Sequence, residues 1–152
     1  MTRAGTTEPR ATASDVTLLT TLLGAEHAAI YGYGVLGARL DDGARREAVQ
    51  VLNRHRSRRD QLTAQLVAGG VVPAESEPAY DIAVADQARA LSLAVNLEEG
   101  LAVRWRDLVG GTDNRELRRL GVSGLQETAL QATRWRLLAG LRPATVALPG
   151  AP

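Results

Sequence analysis

Two glutamates, Glu26 and Glu98, stand where apolar side chains would be expected. Around Glu26, the residues Leu19, Leu22, Leu23, Ile30, Tyr33 and Leu36 recur at three- and four-residue steps, the period of one helix face. Around Glu98 the same period runs through Leu91, Ala94, Leu101, Trp105 and Leu108. A carboxylate turned toward a core must be neutralised by a metal, a proton or a basic partner, because an uncompensated buried charge is strongly destabilising. The chemistry of this chain therefore depends on what faces those two acids.

Candidate partners stand in the next helical segment, within NRHRSRRD. If the first two helices turn around Asp42, the position level with Glu26 is near 58, which puts Arg58 or Arg59 beside it and His55 about one turn away. Arginine is always charged and grips a carboxylate through two parallel hydrogen bonds. A core of Glu26 and Glu98 countered by Arg58, Arg59 and His55 is thus the preferred reading. His27 lies one position off the stripe and reads as a surface or half-buried imidazole, and Glu99 as a solvated neighbour of Glu98.

Other patterns carry less. Gly32 to Gly37 spells G-x-G-x-x-G, but that fingerprint binds dinucleotides only between a strand and a helix of a βαβ unit. Here it lies inside a helical period, so the glycines read as points of bending or close helix contact. Arg54, Arg56, Arg58 and Arg59 spread around a helix without interleaved aromatic residues, which argues against nucleic-acid binding. Trp105, Trp135, Tyr31 and Tyr33 read as packing residues. No Ser-His-Asp set, phosphate-binding loop or cysteine motif can be assembled, so hydrolase and phosphotransfer chemistry have no support.

The bulk properties agree with a single domain. All 18 basic residues are arginine and nearly balance 17 acidic ones, and a net charge of +1 gives no reason to expect a nucleic-acid or membrane partner. The absence of cysteine excludes disulfides and thiolate chemistry. The opening MTRAGTTEPRATAS is polar, and no later stretch approaches the length of a membrane span. A cytoplasmic protein is the expectation.

Four helices must position these residues. Residues 1–13 read as a disordered leader, 14–140 as the bundle and 141–152 as a proline-rich tail. Helix 1, with Ser14 as its cap, is expected to run to about Leu40, helix 2 over 44–68, helix 3 over 87–109 and helix 4 over 114–139. Helix 4 is expected to bury Leu117, Leu120, Leu125, Ala129, Ala132 and Trp135, with its phase blurred by Gly121 and Gly124. The sixteen residues 71–86 carry two prolines and no helical period. Extended, they could reach about 50 Å, longer than a helix of about 36 Å, so they can cross the whole bundle. A faint internal repeat at an offset of 72 residues superposes Glu26 on Glu98, Tyr33 on Trp105, Asp41 on Asp113 and His55 on Glu127. Short turn, long crossover, short turn is the connectivity of a ferritin-like bundle.

The segments AEHAAIYGYGVLGARL, HRSRRD, LEEGLAVRWRDLV and QATRWRL, with the closing PATVALPG, resemble an uncharacterised ferritin-like domain family found mainly in actinobacteria. The likeness covers roughly residues 16–150. It implies an all-α, ferritin-like four-helix bundle with a long crossover between helices 2 and 3, and carboxylate and histidine ligands pointing inward. Ferritin-like di-iron sites use one Glu from each of two helices and a Glu-x-x-His from each of the others. Glu26 and Glu98 match the single-Glu positions, whereas Leu52 precedes His55 and Leu130 follows Glu127 where the pairs require Glu and His. These departures point to a degenerate centre, and the preferred reading is a protein acting by assembly or partner binding without cofactor. The alternative is an iron or manganese carboxylate protein with oxidase or iron-handling activity, its metal held by Glu26, His55, Glu98 and Glu127. Stray apolar positions such as Val35 and Val103 offer surface for a homodimer.

Overall fold

The computed structural model describes residues 11–151. Its four helices are α1 (Ala13–Leu36), α2 (Asp42–Ala68), α3 (Gln87–Gly111) and α4 (Arg115–Leu138), with a short 3-10 turn over Gly37–Arg39. No strand occurs among the described residues. The expected disordered leader lies largely at residues 1–10, outside the described residues.

Each helix starts on a side-chain cap. Thr12, rather than Ser14, caps α1 in a reciprocal box with Asp15, satisfying two amide donors at once. The Asp15 carboxylate is buried and also accepts a hydrogen bond from Thr112 at 2.5 Å, tying the start of α1 to the turn between α3 and α4. Asp41, Asp86 and Asn114 cap α2, α3 and α4.

α1 ends four residues before the expected Leu40, because the chain tightens into the 3-10 turn and Leu40 leaves it extended and buried. α2 then begins at Asp42, so the hairpin pivots at Leu40 and Asp41. That small displacement decides which residue meets Glu26.

Residues 69–86 form no helix or strand and run alongside α1. His27 meets the carbonyl of Ala74, Tyr31 packs against Tyr80 with the rings tilted, Gly32 receives Ile82 and Arg39 donates to the carbonyl of Val84. The crossover therefore travels the length of the molecule, and α3 descends parallel to α2. Close backbone packing joins α1 to α2, α1 to α3 and α3 to α4. The fourth side, between α2 and α4, is held by side chains.

Glycine makes the α3 to α4 contact close. The Trp105 ring lies where a Cβ on Gly124 would be, and Val109 sits 2.8 Å from the equivalent point on Gly121. As a result α4 buries Leu117, Gly121, Gly124, Thr128, Gln131, Ala132 and Trp135. The expected Leu120, Leu125 and Ala129 are only half-buried, since two glycines in the contact rotate the helix toward small and polar residues.

Candidate functional site

Two apolar clusters fill the bundle, one around Tyr33, Val51, Leu91 and Trp135, the other around Leu23, Leu62, Leu101 and Trp105. Glu26, His55 and Glu98 belong to neither and form a polar layer, with exposures of 1%, 5% and 1%. His55 Nδ1 lies 2.8 Å from Glu26 Oε2 and His55 Nε2 lies 3.1 Å from Glu98 Oε1. Tyr33, two turns beyond Glu26 on the same face of α1, donates its hydroxyl to Glu98 Oε1 at 2.5 Å. Trp135 Nε1 donates to that hydroxyl at 2.7 Å. The resulting chain takes one side chain from each of α2, α3 and α4 and two from α1.

Proton counting defines the chemistry. An ionised carboxylate only accepts, so an imidazole facing carboxylates through both nitrogens donates from both and is an imidazolium. Burial alone would lower the His55 pKa, but hydrogen bonds to Glu26 and Glu98 and their charges outweigh it and raise it to about 9. Burial pushes the Glu26 carboxyl above its ordinary value against the opposing pull of His55. Burial and the neighbouring Glu98 likewise hold the Tyr33 hydroxyl protonated. The assembly holds its protons between buried groups.

Arg59 falls elsewhere than the hairpin count suggested, and Arg58 lines the cavity beside Glu26 without bonding it. His55, not Arg58 or Arg59, meets Glu26, because the pivot at residues 40 and 41 brings position 55 level with position 26. Arg59 sits on the flank of α2, 34% exposed, paired with adjacent Asp60 at 2.8 Å. Arg58, 12% exposed, crosses from α2 to α4, bonding Glu127 at 2.5 Å and Ser123 at 3.2 Å. Its guanidinium lies 5.4 Å from the Trp105 ring centroid, a cation–π distance. Arg54 spans the same gap to Gln131 Oε1 at 2.6 Å. The open side of the bundle is thus laced by arginines. Glu127 is half-exposed at its mouth, and Glu99 takes an ion pair from Arg136 at 2.7 Å.

Glu26, His55, Glu98 and Glu127 all line one small cavity of about 20 Å³. As a metal site they fit poorly. Both His55 nitrogens and one oxygen of each buried acid are committed to each other, and Glu127 is committed to Arg58. Among the described residues no group of three or more His, Asp or Glu side chains is arranged to hold a metal ion.

Sequence reasoning overlooked Tyr33 as a partner of Glu98 and Gln131 altogether, and read Arg54 only as part of a basic cluster. Tyr33 could have been found from its seven-residue spacing from Glu26. Gln131 could not, because the glycines obscured the phase of α4.

A family model for a domain of unknown function, DUF4439, matches residues 19–152. The chain belongs to that family. This DUF4439 domain is also similar to the crystal structure of a conserved hypothetical protein from Mycobacterium tuberculosis, with 34% identity and a TM-score of 0.80. The similarity covers 83% of this chain and 97% of that one. No curated protein matches the DUF4439 chain. No helix among its described residues is long and apolar enough to cross a membrane.

Proposed function

We propose that the chain is a ferritin-like bundle that has exchanged a metal centre for a hydrogen-bonded histidine–carboxylate core and acts by assembly or partner binding rather than by catalysis. The observation that carries this reading is the use of both His55 ring nitrogens on carboxylates, Glu26 on α1 and Glu98 on α3. In a di-iron bundle the metals supply positive charge between the acids and a cross-link between helices. Here the chain supplies both, with Arg58 and Glu127 forming a second pair nearer the surface. The helix order, with its long crossover, supports the ferritin-like assignment, and the cytoplasm remains the expected location.

Elemental analysis of protein purified from iron- and manganese-supplemented cultures tests the core. The expected content is far below one ion per chain. Stoichiometric iron, manganese or zinc that disappears in Glu26→Ala overturns the reading and favours the alternative, a metal-dependent oxidase or iron-handling protein. One observation favours that alternative: its four ligands share one cavity wall. Its cost is that His55 must release a carboxylate and Glu127 must release Arg58.

Assembly as a homodimer is supported by apolar side chains left on the outside of α4, where Leu130, Leu137 and Leu138 are all more than half exposed. Val35 and Val103 are half-buried and contribute less. Light scattering should report a dimer that dissociates in the Leu130→Asp, Leu137→Asp double variant. A wild-type monomer at high concentration removes the homodimer from the proposal.

A further inference from the structure

Two buried polar atoms have no hydrogen-bond partner among the described residues: Glu26 Oε1 and Gln131 Nε2. Their side chains are 1% and 4% exposed, and both line the cavity of about 20 Å³. The identity of the Gln131 nitrogen is fixed chemically, because Arg54 only donates and therefore holds the amide by its oxygen at 2.6 Å. An unpartnered acceptor and an unpartnered donor thus share a space sized for one water-like group.

The groups that can satisfy both are few. A carboxylate cannot donate to Glu26, and either a carboxylate or a phosphate would meet its charge. An ammonium cannot accept from Gln131, and a carbonyl cannot donate. A hydroxyl does both, whether of a water molecule or of a ligand.

Outside this floor, on the open side between α2 and α4, lies a cleft of about 400 Å³, within the range of small-molecule sites. Arg54, Arg58 and Glu127 line both spaces and form the wall between them. These are flexible side chains, so the wall can part without backbone movement. The rest of the cleft presents neutral amides and hydroxyls, among them Gln50, Asn53, Ser57, Gln61 and Ser123. Arg58 is countered by Glu127 at 2.5 Å, whereas Arg54 shares Glu47 with Arg134 at 3.7 and 3.4 Å, so selection against an anion falls to the floor, where it would meet Glu26.

We infer that the cleft between α2 and α4 is a binding site for a small neutral polyhydroxylated molecule, one hydroxyl of which enters the floor between Glu26 and Gln131. The remaining hydroxyls meet the side-chain amides of α2 and Ser123 of α4. The inference rests on the metal-free reading of the core and gives the proposed binding role a ligand class.

Saturation-transfer NMR with glycerol, myo-inositol and glucose, and with glycerol 3-phosphate as charged comparator, tests it on the full chain. At least one neutral probe should bind saturably. Its affinity should fall tenfold or more in Gln131→Met, which keeps the shape of the floor but removes the amide, and in Ser57→Trp, which blocks the cleft from an exposed position. The inference is overturned if no neutral probe saturates, if both variants bind as wild type does, or if glycerol 3-phosphate binds more tightly than glycerol. Metal analysis of the same samples separates the failures. Metal-free protein that binds no polyol removes only this inference, whereas stoichiometric metal lost in Glu26→Ala removes the metal-free core as well.

Discussion

His55 is the residue whose protonation the fold most depends on. Its pKa is raised from the ordinary 6.5 to about 9, so the folded state binds its proton more tightly than the unfolded chain does. The stability this provides is complete below pH 6.5 and is lost as pH rises through about 9. Glu26 acts in the same direction, since a carboxyl raised by burial also favours the folded state at lower pH. The melting temperature should therefore fall between pH 6.5 and 9, by up to about 3 kcal/mol of stability, and His55→Gln should flatten that slope. A wild-type melting temperature that rises over this interval would contradict the assignment. Arg58 and Arg59 offer a second comparison. Arg58→Leu removes a guanidinium that joins Glu127, Ser123 and the Trp105 face and should cost about 1–2 kcal/mol. Arg59→Leu removes an exposed pair with Asp60 and should stay within about 0.5 kcal/mol. Thermal denaturation of the two variants side by side checks the ranking.

Among the helices, α4 departs furthest from its sequence pattern. Gly124→Ala places a methyl group in the Trp105 ring. Indole and two backbones cannot give way together, so the substitution should destabilise by about 1–3 kcal/mol despite the better helix propensity of alanine; chemical denaturation measures it. The same contact explains what the sequence could and could not disclose. Helices 1 and 3 announce themselves through long leucine-rich stripes, and Glu26 and Glu98 interrupt those stripes visibly. α4 gives no such stripe, because close approach to Trp105 selects glycine where a buried row would show leucine. Gln131 consequently stayed hidden. The partner of Glu26 was misassigned for a different reason: a hairpin register depends on where the turn pivots. Moving the pivot from Asp42 to between Leu40 and Asp41 exchanges arginine for histidine.

For the molecule as a whole, the side-chain chain through Glu26, His55, Glu98, Tyr33 and Trp135 replaces contacts that backbone packing does not provide. Among the described residues α2 packs its backbone closely against α1 and the 3-10 turn, and α4 against α3. Its polar links run to α3 through His55 and to α4 through Arg54, Arg58 and Glu47, and its Val51 and Leu62 join the apolar clusters shared with α3 and α4. The seam between α2 and α4, held by side chains without close backbone packing, is therefore the expected first place of opening. Native-state amide exchange should accordingly find the middle of α2 opening at a lower free energy than the middles of α1 and α3, with the gap widening in His55→Gln. Uniform protection across the four helices would contradict this. If exchange shows that opening, the seam between α2 and α4 is the route by which a small molecule would reach the polar layer.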